Sequence, residues 1–190
     1  PPFPLEPFTM NSAPPLTVVC FAVKQEAAPF RERLTTGCDI QILLTGMGPD
    51  NARSAFAQLL ARTRPAHVIT SGFAGALNPA LAAETIVYDQ DTPPDLAAKL
   101  RAMGAQPGRF HCATTVATTV REKEALRQAT GADAVEMESG VIREACRLQS
   151  IPAATVRVIL DTAQQNLPLD FNRLLNEHLQ LNPVKLAAAL

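Results

Sequence analysis

The chain has 190 residues, of which 47% are hydrophobic and 18% are charged. These values are typical of one globular domain and exclude a disordered chain. The formal net charge of -1 gives no broad attraction to nucleic acid or to an anionic membrane, and no apolar run is long enough to predict a membrane span.

The chain begins with a proline-rich stretch, PPFPLEPFTMNSAPP. It lacks the basic and apolar regions of a signal peptide, so we expect a flexible arm over residues 1–15 and one folded domain over residues 16–190. The four cysteines stand at positions 20, 38, 112 and 146, with no CxxC pair among them. This spacing predicts free thiols, no zinc site and a reducing, cytoplasmic setting.

Apolar runs rich in β-branched residues alternate with segments of helical periodicity from residue 16 onward. In chain order we expect a strand over 16–23, a helix over 26–34, a strand over 40–45, a helix over 52–62 and a strand over 67–71. Pro29 is tolerated only near the first turn of its helix, and Asp50 or Asn51 is expected to cap the second helix.

The second half of the chain continues the same alternation. We expect strands over 84–88, 110–116, 134–137 and 153–160, and helices over 93–103, 120–129, 138–148 and 170–190. Strands that alternate with helices predict an α/β architecture with a largely buried central sheet.

Candidate site residues follow the ends of predicted strands, where ligands gather in α/β sheets. They are Gly46 and Gly48, the segment GFAGAL at 72–77, the segment VEMES at 135–139, and Asp161. GFAGAL reads as a tight glycine-rich turn that brings the backbone close to a ligand. It matches neither the P-loop nor the dinucleotide-binding fingerprint.

Three acidic residues allow both a functional and a structural interpretation, and a fourth charged residue, Arg157, has a structural one. Glu138 can accept hydrogen bonds from vicinal hydroxyls such as those of a ribose, or it can be a helix first-turn acid. Asp161 can be a general acid or a cap of the following turn. Glu26 can be a base, a ribose ligand or a solvated glutamate. Arg157 lies in an apolar strand, so we expect it to pair with a carboxylate.

Taken together, these segments resemble the nucleoside phosphorylase superfamily, in particular its methylthioadenosine/S-adenosylhomocysteine nucleosidase branch. The resemblance covers residues 18–175 and is strongest in SGFAGAL and in VEMESGVIREACRLQSIPAATVRVILDTA. It implies a single-domain three-layer sandwich, with a central mixed β-sheet flanked by helices. It also implies a homo-oligomer, with a dimer favoured, and a small-molecule nucleoside as substrate.

The resemblance implies a role for each matching residue. Asp161 matches the acid that protonates purine N7, and Glu26 matches the residue that orients or activates the attacking water. Glu138 matches the ligand of the ribose 2′- and 3′-hydroxyls, with Met137 beside it. The remaining implied substrate-binding residues are Glu136, Gly75, Phe73, Ala74 and Val116, and Gly48 and Arg53 are the candidates for holding phosphate or water.

The chain also departs from the family pattern. Thr70 and Phe73 stand where phosphorylases carry a phosphate-holding arginine and a serine or threonine, and Leu160 replaces a serine. The region 87–119 is shorter than usual. A looser resemblance to the hopanoid-associated phosphorylase branch implies a purine carrying a long apolar chain.

The implied activity is cleavage of the N-glycosidic bond of a purine nucleoside or a 5′-substituted adenosine. The attacking group is water or phosphate, so no cofactor is expected, and inorganic phosphate is a co-substrate only in phosphorolysis. An alternative is an inactive nucleoside-binding or sensor protein of the same fold. An unrelated α/β hydrolase is disfavoured because the chain has no GxSxG nucleophile elbow.

Overall fold

The structure is a computed structural model, which describes residues 15–169 and Asn172. Its strands cover Thr17–Phe21 (β1), Ile40–Leu44 (β2), His67–Thr70 (β3), Phe73–Ala76 (β4), Ile86–Asp89 (β5), Gln106–Gly108 (β6), Phe110–Cys112 (β7), Ala134–Glu136 (β8) and Ala153–Asp161 (β9). Its helices cover Lys24–Arg33 (α1), Pro49–Leu60 (α2), Pro94–Ala102 (α3), Val120–Thr130 (α4) and Ser139–Leu148 (α5).

The strands of this part of the chain form one mixed sheet in the order β2-β1-β3-β9-β4-β8-β7, with β5 paired to β9 and β6 paired to β5. The long strand β9 lies at its centre: it runs parallel to β3 and β4 and antiparallel to β5. β8 pairs in parallel with β7 and antiparallel with β4. The predicted mixed sheet is therefore confirmed.

β1 is buried on both of its faces, which places helices on each side of the sheet. Val18 and Cys20 belong to a core cluster with Phe56 of α2 and Ile142 of α5. Val19 and Phe21, which alternate with them along the strand, pack with α1 in a second cluster. Side chains of opposite orientation along one strand thus enter two cores, and the predicted three-layer sandwich is confirmed.

The segment GFAGAL is a strand and not the predicted turn. Phe73–Ala76 forms β4, which pairs in parallel with β9 and antiparallel with β8. Small residues such as Gly75 have a low intrinsic preference for β-strands. The extended conformation of this segment is stabilised by its pairing with a strand on each side. The short strand β6 was not predicted, and β7 ends at Cys112, four residues before its predicted end.

Two helix starts differ from the predicted ones. Gly48, not Asp50 or Asn51, is the N-cap of α2, and its φ of +84° favours glycine. Pro49 then occupies the first turn, where its missing N–H costs nothing. α1 begins at Lys24, so that Pro29 lies inside the helix rather than in its first turn.

The predicted arm over 1–15 and the predicted helix over 170–190 lie outside the described residues, apart from Pro15 and Asn172. Helices long and apolar enough to cross a membrane are not found in the described part of the chain. The four cysteines are free, as predicted; Cys20 and Cys146 are buried and Cys38 is exposed.

Candidate active site

A cavity of about 560 Å³ lies at the ends of several strands and collects most of the predicted site residues. Its lining comprises Ala22, Val23, Gln25, Glu26, Met47, Phe73, Ala74, Gly75, Thr115, Val116, Ala117, Val135, Glu136, Met137, Glu138, Leu160, Asp161, Gln165, Leu167 and Pro168. Every predicted catalytic and substrate-binding residue is in this set. A second cavity, of about 420 Å³ beside α4, contains none of them.

Glu26 is fixed at the cavity by three backbone N–H groups. Its Oε2 accepts hydrogen bonds from the N–H groups of Ala22 and Val23 at 3.1 and 3.3 Å, because Glu26 is the third residue of α1 and its side chain reaches back to the N-cap. Its Oε1 accepts from the N–H of Phe73 at 3.0 Å. The carboxylate therefore links the end of β1 to the start of β4 and is held in one orientation.

Gly72, the first residue of the GFAGAL segment, makes room for Glu26. A Cβ at position 72 would lie 2.7 Å from Glu26 Oε1, and the φ of +139° is one that residues with side chains rarely adopt. Gly75 plays a similar part on the other side of β4, since a Cβ there would lie 3.1 Å from Asp161 Oδ2. The two glycines thus flank the two predicted catalytic carboxylates.

Glu138 is held at the cavity by a loop from a distant part of the chain. The N–H of Gly48 donates to Glu138 Oε1 at 2.8 Å. Burial raises the pKa of Glu138 to about 7, against the opposing effect of that hydrogen bond, and the nearby charge of Glu136 adds to the increase.

The raised pKa has a defined effect on stability. The folded state binds the Glu138 proton more tightly than the unfolded chain does, because the pKa of this carboxyl is about 7 in the folded state and 4.5 in the unfolded chain. Because the native state then holds more protons between about pH 4.5 and 7, the free energy of unfolding falls as the pH rises through that range. The loss is complete above about pH 7, where Glu138 is a buried carboxylate.

The carboxylate of Glu136 is buried and is hydrogen-bonded to other groups of the protein. Its Oε2 accepts a 2.6 Å hydrogen bond from Arg157, and Ser139 donates through its N–H and its hydroxyl at 2.8 Å each. Burial acts to raise the pKa of Glu136, but the Arg157 guanidinium and the Ser139 donors hold it below the usual value. The predicted pairing of Arg157 with a carboxylate is confirmed, and this pair fixes the segment that carries Met137 and Glu138.

Asp161, the last residue of β9, forms a buried ion pair with Lys123 of α4. The Lys123 side chain is 0% exposed and that of Asp161 is 9% exposed. Lys123 was not predicted from the sequence, because charged side chains on a helix usually face solvent. The spacing of the apolar residues could have indicated its burial, since Val120, Lys123 and Leu126 lie three positions apart on one face of the helix, and that face packs against the core.

Val116, one of the implied substrate-binding residues, has both backbone groups hydrogen-bonded to one side chain. Its N–H donates to Asn172 Oδ1 at 3.0 Å, and Asn172 Nδ2 donates to its carbonyl at 2.9 Å. Asn172 therefore occupies both backbone groups of Val116 in this structure.

The two candidates for phosphate binding lie outside the cavity lining. Arg53 is an exposed residue of α2 and pairs with Asp50 at 2.6 Å, as expected for a solvated helix arginine. The N–H of Gly48 is used by Glu138. Among the described residues that line the cavity, none is lysine, arginine or histidine. Groups of three or more potential metal ligands are likewise not found within the described ranges.

Comparison with known proteins identifies the family and similar folds. The family model of the phosphorylase superfamily matches residues 11–92 and 87–188. The fold is similar to that of the methylthioadenosine/S-adenosylhomocysteine nucleosidase of Colwellia psychrerythraea 34H in complex with adenine, with a TM-score of 0.71 and 22% identity over 87% of this chain and 88% of that one.

Two further solved structures share the fold. The S-adenosylhomocysteine nucleosidase of Streptococcus pyogenes in complex with 5-methylthiotubericidin gives a TM-score of 0.73 at 17% identity, covering 85% of this chain and 90% of that one. A mutant of the futalosine hydrolase of Helicobacter pylori strain 26695 gives a TM-score of 0.71 at 16% identity, covering 92% of this chain and 98% of that one.

Proposed function

We propose that this chain, which belongs to the phosphorylase superfamily, cleaves the N-glycosidic bond of a purine nucleoside with water as the attacking group. The observation that carries the proposal is the charge of the cavity. Glu26, Glu138 and Asp161 line it, and no cationic side chain does so among the described residues. Such a site repels an anionic nucleophile and suits a neutral one.

Each carboxyl group has a distinct part in the proposed reaction. The acid form of Asp161 donates a proton to purine N7 while the C1′–N9 bond breaks and its electron pair stays with the base. Water forms the new bond to C1′ and transfers a proton to Glu26. The products are the free base and the free sugar. Glu138 accepts hydrogen bonds from the ribose hydroxyls, which strengthen as positive charge develops on the sugar.

Phosphorolysis is disfavoured by the same geometry. Phosphate binding usually relies on arginine, lysine or a row of free backbone N–H groups. Arg53 is paired on the surface, and the N–H groups of Ala22, Val23 and Phe73 are directed to Glu26. The names of the neighbouring structures, two nucleosidases and a hydrolase, also support water.

The 5′ substituent is proposed to be apolar. Phe73 and Leu160 line the cavity and are 45% and 59% exposed, so that an apolar group beside them would remove hydrophobic surface from water. This proposal covers methylthioadenosine and extends to the longer apolar chain suggested by the hopanoid-associated branch. No described feature favours an inactive sensor, and a homo-oligomer remains a proposal.

The proposed activity is tested by incubating the full chain with adenosine, inosine and methylthioadenosine and by measuring the free base. We expect base release from at least one of the three. No release from any of them, with a folded protein, contradicts the proposal.

Glu138→Gln is expected to weaken riboside binding about 10- to 100-fold, because hydrogen bonds to a charged acceptor contribute about 1.5–3 kcal/mol. Affinity for the free base is expected to change less than about threefold, since the base does not reach Glu138 in the proposed arrangement. Isothermal titration of a riboside and of its free base measures both values. Glu144→Gln, at an exposed position of α5, the helix that follows Glu138, is the matched control.

The same residue is expected to set a pH dependence. In the wild-type protein, riboside affinity falls as the pH drops below about 7, because protonated Glu138 loses its charge as an acceptor. The Glu138→Gln variant is expected to bind with no such dependence. Equal weakening of riboside and free base by the substitution would contradict the ribose-binding role.

A further inference from the structure

We propose that Lys123 is a positioning residue for Asp161, and that its ammonium group stabilises the carboxylate that forms when Asp161 gives its proton to the leaving base. The proposal rests on the proposed function. It starts from a lysine that is fully buried, lies next to the cavity and is not part of its lining.

All three protons of the Lys123 ammonium have acceptors. One goes to Asp161 Oδ2, and the other two go to the carbonyl oxygens of Thr162 and Gln165 at 2.8 and 2.7 Å. The three acceptors match the three protons of a lysine ammonium group. Lys123 therefore stands as a fixed positive charge directly behind Asp161.

This contact also fixes the segment that follows β9. Lys123 binds two carbonyls of that segment, the N–H of Leu167 donates to Thr118 at 2.8 Å, and Asn166 Oδ1 accepts from the N–H of Val120 at 2.8 Å. Gln165 and Leu167 line the cavity. Lys123 thus contacts both Asp161 and the segment that forms part of the cavity wall.

The second oxygen of Asp161 is left for the substrate. No hydrogen bond from the described residues reaches Oδ1, while Oδ2 faces Lys123 and Gly75. Asp161 is nearly buried, and an isolated carboxylate there would be costly. When the proton passes from the acid form of Asp161 to N7, the new carboxylate meets an ammonium already in contact with it. The interaction is stronger in the transition state than before proton transfer, which is the condition for acceleration.

Asp161 has one basic and three acidic side chains around it among the described residues. In the described part of the chain, Lys123 of α4 is the cation in contact with it, and the other titratable groups that line the same cavity are Glu26, Glu136 and Glu138. Without Lys123, the titratable side chains that share the cavity lining with Asp161 are all acidic within the described ranges. The carboxylate that forms on proton transfer then has no ammonium in contact with it, so the proton is given up less readily.

The test compares the pH profiles of kcat for base release by the wild-type chain, Lys123→Gln and Lys123→Arg. Glutamine is chosen because its amide can still donate to the carbonyls of Thr162 or Gln165, which protects the fold where methionine would leave both unbonded. Thermal melting of each variant checks folding. Lys99→Met, at an exposed position of α3, is the control for loss of a lysine.

We expect Lys123→Gln to lower kcat about 10- to 100-fold at the acid end of the profile and to move the alkaline loss of activity to higher pH. Lys123→Arg keeps the charge and is expected to leave the alkaline limb in place. If Lys123→Gln lowers the melting temperature but leaves the profile unmoved, the role is only structural and the proposal is overturned. Absence of base release by the wild-type chain would instead refute the proposed function.

Discussion

Asp161→Asn is expected to lower base release about 10²- to 10⁴-fold, the usual contribution of a general acid. Asparagine has nearly the shape of aspartate, and its side-chain oxygen can accept the hydrogen bond from Lys123 that Asp161 Oδ2 accepts now. Its NH₂ group then faces the cavity, where it can donate a hydrogen bond to N7 but cannot transfer a proton. Turnover is therefore lost while riboside affinity changes by less than about threefold.

Steady-state rates and equilibrium binding of a riboside separate these two effects. Asp95→Asn, an exposed residue in the first turn of α3, is the control for an aspartate that is not at the cavity. Loss of binding in parallel with turnover, or a large fall in melting temperature, would assign Asp161 a structural role and would remove it from the proposed mechanism.

Glu26→Gln is expected to lower hydrolysis by a similar factor, about 10²- to 10⁴-fold, because an amide cannot accept the proton of the attacking water. The glutamine oxygen can still accept from the N–H groups of Ala22 and Val23. Its NH₂ group then meets the N–H of Phe73, which now donates to Glu26 at 3.0 Å. Two donors facing each other will shift the start of β4 slightly, so a modest loss of stability is expected as well.

A melting curve and a binding measurement must accompany the rates for this variant. Glu32→Gln, on the exposed side of the same helix, gives the matched control. A Glu26→Gln protein that is folded and retains turnover within about threefold of the wild type would show that Glu26 only joins β1 to β4.

Much of the fold could be predicted from the sequence because its elements have clear patterns. β1 alternates residues between two cores, and α2 and α5 carry apolar residues at helical spacing. β4 could not be predicted in this way, because Phe73–Ala76 contains small residues whose order comes from pairing with β8 and β9. Element ends set by Gly48 and Pro49 also depended on a backbone conformation that composition does not reveal.

The candidate site was predictable where residues are close in sequence, as in the segment that holds Glu136, Met137 and Glu138. The contacts that fix those residues join distant parts of the chain. Gly48 and Glu138 are 90 positions apart, and Lys123 and Asp161 are 38 apart. Which of these distant residues come into contact depends on the order of the strands in the sheet, and that order cannot be read from the sequence of one chain. Lys123 was hidden for a further reason, since a lysine is seldom fully buried.

The most direct test of the proposal is the measurement of base and sugar products from methylthioadenosine, adenosine or inosine, with and without inorganic phosphate. With water as the attacking group, the free base and the unphosphorylated sugar form at the same rate in both buffers. A reaction that requires phosphate and yields a sugar 1-phosphate would contradict the assignment of water to a cavity lined by carboxylates.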